Sequence, residues 1–523
     1  MINIQFRQLN NQFNNRFSRT PGYFSQAILF LFCIVVFFKV YNGYQDDFRP
    51  QGIHFWAQAD RFSIAINYYD NGLNFLRPQT NYLEYNNGLT GVEFPVIQYI
   101  TAVIAKPFGA RDELFLIYRI LTYTILCIGL QFLLLNIKNH GGNGFQQVLI
   151  PLFFLLSPLL LFYGFNFLPD IPSLALVLIS YFYFEKFRLK LQFNAIYLAL
   201  AWGFGASMLK LTSAMFPIAY LLWFLIDAFF VDKLITRGQI ICVVSIFVAS
   251  MILCFGIALY FTIYANYNYQ STVFLSASRH INKSSDFSDI WDNVVCWHRE
   301  YFRETQYWVV LLSFMVSLNS RFVQKGVLIF KGIITLGMIT FVILMGKQLM
   351  DHDYYAICTI IPFVLILSID GLMLLTRGCL GILVFIYILQ GMAPQSLKQS
   401  KLRQSEVYQL PCREIWDYRT YLLEASEWVK QNNVPKNSTI FVLYDYPLNT
   451  PLVYLDRKGM VFNHQKMKDK VLIDKWFKIL KPNYTLLPKQ WKKDLKNDRP
   501  ELLLQWKLVY EGKDVLIFET INE

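Results

Sequence analysis

The sequence predicts an α-helical polytopic membrane protein of about eleven spans, with a small soluble α/β domain at its C-terminus. Three observations predict it. Hydrophobic residues make up 55% of the chain and charged residues only 16%, against about 25% charged in an ordinary soluble domain. The apolar residues gather in runs close to the ~20 residues that a bilayer core takes as helix. From about residue 394 the pattern changes, with charge rising and apolar residues alternating in short runs.

In chain order, residues 1–23 form a polar N-terminal tail carrying Arg7, Arg16 and Arg19. The first apolar run, from about Phe24 to Tyr41, has no small-residue cleavage site after it and is expected to stay as a span. Further runs cover about 112–137, 146–167, 172–186, 194–209, 212–231, 239–265, 306–319, 326–346, 354–375 and 378–393. The segment Glu93–Phe108 is apolar but short and opens with Glu-Phe-Pro, so loop charges must decide its status. If it does not span, Lys138, Lys186/Arg188/Lys190, Lys233/Arg237, Arg321/Lys325 and Arg377 all fall on the side of the N-terminal arginines. Cytoplasmic loops carry the excess of Lys and Arg, so this segment is expected to be an interfacial helix.

The expected topology has the N-terminus in the cytoplasm and the C-terminus outside, in the periplasm or cell exterior if the membrane is a bacterial inner membrane. The domains are a tail at 1–23, a membrane domain at 24–393 with long outer loops at 42–111 and 266–305, and a soluble domain at 394–523. In that last segment Tyr418–Gln431 and about Lys468–Leu480 read as helices, and Thr439–Leu443 and Val515–Glu519 as strands. The segment has no Gly-rich phosphate loop and no His/Cys cluster.

Six of the eight cysteines (Cys33, Cys127, Cys242, Cys254, Cys358, Cys379) lie inside apolar runs and read as packing residues. Cys296 and Cys412 lie outside them, which leaves a bridge between the two open. The net charge of +12 does not indicate nucleic acid, because the basic residues sit mainly in short loops where topology requires them.

Ionisable residues at or near spans are costly and are therefore functional candidates. Asp60 lies in His-Phe-Trp-Ala-Gln-Ala-Asp-Arg, on an amphipathic helix from Trp56 to Tyr69; it is either a solvated surface acid or a general base at the rim of the bilayer. Asp170, in Leu-Pro-Asp-Ile-Pro between two spans, either caps a helix or belongs to the same outer face. Lys210 and Arg119 either snorkel or bind a lipid phosphate. Asp351-His352-Asp353-Tyr354-Tyr355 is a polar turn, a sugar or phosphate contact, or part of a divalent-metal site.

In this order the residues resemble membrane glycosyltransferases of the GT-C fold, among them the protein O-mannosyltransferases and the lipid A aminoarabinose transferase. Those families carry an acidic motif after the first span; Asp60, Ala65 and Gly72 fit its frame. Glu93-Phe94-Pro95 stands where a Lys-Pro-Pro-like motif opens an interfacial helix. Asp170 matches the second Asp, Leu209-Lys210-Leu211-Thr212 matches a Leu-Thr-Lys-Gly-like turn, and Asp353-Tyr-Tyr through Pro362 matches an aromatic, Pro-containing span. The match runs over about residues 24–393. Arg61 replaces the usual second acid, Glu93 replaces a Lys, and Asp46-Asp47 offers another acidic pair nearer the first span.

The resemblance implies transfer of a hexosyl or pentosyl group, with inversion, from a polyprenyl-phosphate donor to an acceptor hydroxyl of a protein, lipid or glycan on the outer face. It implies catalytic roles for Asp60 and Asp170, and donor contacts from Arg61, Glu93, Arg119, Lys210, His352, Asp353 and Tyr355. Whether a divalent metal takes part is left open; Asp60, Asp170 and His352 are the residues that would hold one. Two rival readings are a transporter or flippase of lipid-linked saccharides and a polymerase of them. The first is disfavoured because the sequence shows no internal repeat and its ionisable groups gather at one rim.

Overall fold

Why the apolar runs become these helices is visible at their ends. Ser157 stops one and starts the next: its Oγ accepts the backbone N–H of Leu160 at 3.1 Å, with Pro158 in the first helical position. The expected span 146–167 is therefore two helices rather than one. Asn143 and Gln146 form a capping box at the start of the same run.

The computed structural model describes residues 22–41, 49–83, 86–231, 235–271, 273–274, 279–318, 324–404 and 419–520. In chain order α1 is Gly22–Tyr41, α2 Phe55–Asp70, α3 Val96–Ala105, α4 Leu114–Asn139, α5 Gly144–Leu155, α6 Pro158–Tyr163, α7 Asp170–Lys190, α8 Phe193–Leu209, α9 Met215–Ile226 and α10 Arg237–Ala258. They are followed by α11 Ser284–Tyr301, α12 Glu304–Ser317, α13 Lys325–Met345, α14 Ile360–Leu375, α15 Cys379–Gln404, α16 Arg419–Gln431 and α17 Lys470–Leu480. Among the described residues, seven stretches are long and apolar enough to cross a membrane: Tyr23–Tyr41, Leu114–Asn139, Leu211–Phe230, Arg237–Tyr269, Lys325–Met345, Tyr355–Leu375 and Cys379–Gln404. Position 393, where the sequence suggests that the membrane domain ends, lies inside α15, which runs on through Pro394 to Gln404.

The chain divides into two compact units. One holds residues 1–45, 119–258 and 277–404; the other holds 46–118, 259–276 and 405–523. In the first unit, serines join α7 to α8 and its end: Ser180 Oγ donates to the Ala199 carbonyl at 2.7 Å, Ser173 Oγ to the Ala206 carbonyl at 3.0 Å, and Ser173 meets Ser213 at 2.7 Å. With little hydrophobic drive between helices in lipid, such bonds and small-residue contacts hold a bundle.

In the second unit the tail folds around a five-stranded sheet: β1 Thr439–Leu443, β2 Lys458–Phe462, β3 Tyr484–Pro488, β4 Trp506–Glu511 and β5 Val515–Thr520, in the order β2-β1-β3-β5-β4. The first three strands are parallel, and β5 pairs antiparallel with β3 and β4. β1, β2 and β3 are buried along nearly their whole length, as covered parallel strands should be, whereas β4, at the antiparallel edge, is exposed at Lys507, Leu508 and Glu511. The expected helices and strands of the tail appear at Arg419–Gln431, Lys470–Leu480, Thr439–Leu443 and Val515–Thr520; Tyr418 lies outside the described residues.

Candidate functional site

In the second unit α2 carries Asp60 and Arg61 side by side. Asp60 is buried, only 8% exposed, so it is not a solvated surface acid. Its Oδ1 accepts a hydrogen bond from Asn449 Nδ2 at 2.9 Å. Asn449 in turn accepts the Tyr82 backbone N–H at 3.1 Å and the Ser63 hydroxyl at 3.4 Å, and Asn67 Nδ2 donates to Asn81 Oδ1 at 2.7 Å. A neutral polar cluster thus flanks the acid. Burial pushes the Asp60 carboxyl up to about 6, against the smaller opposing effects of the Asn449 hydrogen bond and the Arg61 charge; Glu93 adds a slight upward push. A carboxyl poised there can exchange a proton near neutral pH.

Arg61 pairs with Glu93 and donates from Nη1 to the Ala57 carbonyl at 3.0 Å, its guanidinium lying 5.3 Å from the Phe274 ring centre. The Glu that stands where the resemblance expects a Lys is thus matched by an Arg where it expects an acid, and the two meet as an ion pair.

In the first unit Asp170 opens α7 and Lys210 follows the last residue of α8. The N-cap of that helix is Pro169, which offers no side-chain capping hydrogen bond. Lys210 Nζ lies 3.3 Å from Asp170 Oδ1, with both residues buried, so Lys210 does not snorkel. Lys210 also lies 4.1 Å from the Tyr355 ring centre and 5.2 Å from that of Tyr354. Cys358 Sγ reaches Asp170 Oδ1 at 3.7 Å. The His352 ring is nearly parallel to those of Tyr354 and Tyr355, with centroids 5.3 and 6.0 Å away.

Asp353 is fully buried in an ionic network. It accepts from the Tyr163 hydroxyl at 2.7 Å and pairs with Arg403, whose Nη1 reaches Glu300 Oε2 at 2.7 Å. Gln399 Nε2 donates to the other oxygen of Glu300 at 2.7 Å. Asp353 therefore faces an internal cation. Arg119 is buried with its guanidinium 4.7 Å from the Phe167 ring centre and Nη1 3.3 Å from the Phe165 carbonyl.

Lys210, Asp170, Tyr355 and His352 are brought together, and Arg61 with Glu93. Among the described residues, no group of three or more His, Cys, Asp or Glu side chains gathers as a metal site. Asp46-Asp47 and Cys412 lie outside the described residues, as does the side chain of Cys296. Sequence reasoning missed Asn449, which sits 389 residues from Asp60 in a tail without motifs. It also missed Arg403 and Glu300. Arg403 carried one signal, a lone Arg just beyond an apolar run.

These apolar helices and the appended α/β unit define a multi-pass membrane protein. Its fold is that of ArnT from Cupriavidus metallidurans bound to undecaprenyl phosphate, with a TM-score of 0.52 at 12% identity over 94% of this chain and 97% of that one. It is likewise similar to the Archaeoglobus fulgidus oligosaccharyltransferase in complex with Zn and sulfate, with a TM-score of 0.58 at 11% identity over 95% of this chain and 73% of that one. The mycobacterial arabinofuranosyltransferase AftD matches with a TM-score of 0.51 at 13% identity over 95% of this chain, which spans 40% of AftD. All three have the GT-C fold, so the fold expected from the ordered motifs is the fold observed. No protein-family model and no curated sequence matches the chain.

Proposed function

We propose that the protein is a membrane glycosyltransferase that moves a sugar from a polyprenyl-phosphate donor to an acceptor hydroxyl at the outer face of the membrane. The GT-C fold supports the class, and the structures that share it include one bound to undecaprenyl phosphate and one in complex with sulfate. The observation that carries the reading is the buried carboxyl of Asp60, held near neutrality on a helix outside the spans.

The acceptor oxygen attacks the anomeric carbon as the bond from that carbon to the phosphate oxygen breaks, and the configuration inverts. The hydroxyl proton passes to Asp60. The electron pair of the broken bond leaves on the phosphate, which changes from a diester to a monoester and gains negative charge. Such a charge calls for a buried cation, and Lys210, held by Asp170 and Tyr355 within the first unit, is one. Tyr355 and His352 offer aromatic faces to the sugar. Arg61 and Glu93 act beside Asp60; within the first unit Arg119 holds the Phe165 carbonyl and Asp353 holds Tyr163 and Arg403.

The test is single-turnover transfer in proteoliposomes from radiolabelled polyprenyl-phosphate sugars, with a membrane extract as acceptor. Label should move to an acceptor and polyprenyl phosphate should be released. Donor that crosses the bilayer intact, with no cleavage, would instead establish a flippase.

A further inference from the structure

A hollow in the second unit lies on a face of α2 other than the one that carries Asp60. It has two lobes, of about 620 and 540 Å³, that share Ile66, Arg111, Lys436, Asp456 and Arg457. Arg111 divides the lobes, pairing with Asp70 at 2.7 Å and with Asp456 at 2.8 Å, so these two acids are already engaged.

Arg457 is not engaged in that way. It is 7% exposed, and its guanidinium is met only by main-chain carbonyls, of Leu455, Asp456 and Val434, while its Nε has no hydrogen-bond partner. Among the described residues no carboxylate stands within ion-pair distance of it. A buried guanidinium held by neutral groups alone is costly, and the hollow is where an anion could reach it. Burial also pulls both Arg457 and Lys458 below their ordinary ranges. Lys430 and Lys436 stand at the rim with Asp112 and Glu113.

The floor is of another kind. Phe62 stacks on Phe115 at 4.1 Å, and Phe115 and Leu116 belong to the first turn of α4, a helix apolar enough to cross a membrane. The hollow therefore opens beside the start of a span, where cationic walls meet an apolar floor.

We propose that this hollow binds the phosphate headgroup of an anionic phospholipid, with the phosphate at Arg457 and an acyl chain over Phe115 and Leu116. The bound lipid fastens the soluble unit to the bilayer surface. The site is separate from Asp60 and does not depend on the chemistry proposed above.

The experiment is a thermal-shift titration of the full chain in non-ionic detergent with dioctanoyl phosphatidylglycerol, dioctanoyl phosphatidylcholine and inorganic phosphate. Phosphatidylglycerol should stabilise saturably and the other two should not. Arg457→Gln should weaken its apparent Kd roughly tenfold, about what one charge-assisted hydrogen bond contributes. The exposed pair Lys430→Gln/Lys436→Gln, which leaves the interior intact, should weaken it several-fold should Arg457→Gln fail to fold. Equal shifts with phosphatidylcholine, equal shifts with inorganic phosphate, or unchanged affinity in the variants that fold would each overturn the proposal.

Discussion

At the residue scale the argument rests on Asp60. A general base must be ionised, so transfer should rise about tenfold per pH unit below the Asp60 midpoint near 6 and level off above it. Asp60→Asn keeps the oxygen that Asn449 contacts but cannot take a proton; it should lower the turnover of lipid-linked sugar by roughly 10²–10⁴-fold while the protein still elutes as a folded species. Full activity in that variant would sink the assignment. Glu93→Gln removes a charge that raises the Asp60 midpoint and releases Arg61, which lowers it. Its acid limb should therefore move to lower pH, which a pH–rate profile reads directly. Lys210→Met breaks its buried ion pair with Asp170 and should destabilise the protein by roughly 3–5 kcal/mol. The double variant with Asp170→Asn should recover much of the thermal stability but not the transfer. Of this site, the acids and the Lys were legible because charge beside an apolar run stands out. Their partners were not: Asn449 and Glu300 are ordinary polar residues in unremarkable stretches, and only folding brings them to Asp60 and Arg403.

At the scale of the element, close approach of helices decides what can be changed. A Cβ placed on Gly371 of α14 would fall 1.8 Å from the Ser313 carbonyl oxygen of α12, and that oxygen is backbone that cannot swing away. Gly371→Ala must push the two helices apart, costing roughly 1–3 kcal/mol as overpacking does. A lower midpoint of thermal unfolding in detergent checks it, and an unchanged midpoint would mean that the contact is looser than described. Helices were legible from their apolar runs because a bilayer demands length. The break at Ser157-Pro158 was legible in principle, since a Ser before a Pro is a helix-start signal, but it is masked by apolar residues on both sides. In the tail, β1 and β5 could be read from runs rich in β-branched and aromatic residues, Thr-Ile-Phe-Val-Leu and Val-Leu-Ile-Phe-Glu-Thr, whereas the Gly in β2 (Lys-Gly-Met-Val-Phe) and the Pro in β3 (Tyr-Thr-Leu-Leu-Pro) weaken the strand signal. Beyond residue 393 the helix continues because Gln399 and Arg403 are satisfied inside the protein by Glu300 and Asp353, a pairing no hydropathy pattern reveals.

At the scale of the molecule, the second unit is assembled from segments far apart in sequence: 46–118, 259–276 and 405–523. Arg111 ties Asp70 to Asp456, Arg49 donates to Ser426 and to the Tyr454 carbonyl, and Asn266 accepts the Gly91 N–H. The sequence suggested an outer loop and a separate tail; their union was invisible because it is made by isolated residues far apart in sequence, among them Tyr82, which packs into the core of the tail. Folding this unit also buries two carboxyls, Asp60 and Asp445, each raised by desolvation from 3.8 to about 6, although the Tyr421 hydroxyl donates to Asp445. Between pH 4 and 6 the folded state therefore keeps protons that the unfolded chain has released. Stability from these groups is greatest at the acid end of that window and declines as pH rises, by up to about 3 kcal/mol for each carboxyl once both are ionised. The protein should unfold at a lower temperature at pH 7 than at pH 5.5. Asp445→Asn, which needs no proton to be neutral, should remove about half of that slope and raise the midpoint at pH 7. If the variant retains the full wild-type slope, Asp445 does not titrate in this window, and the pH dependence must come from groups outside the unit.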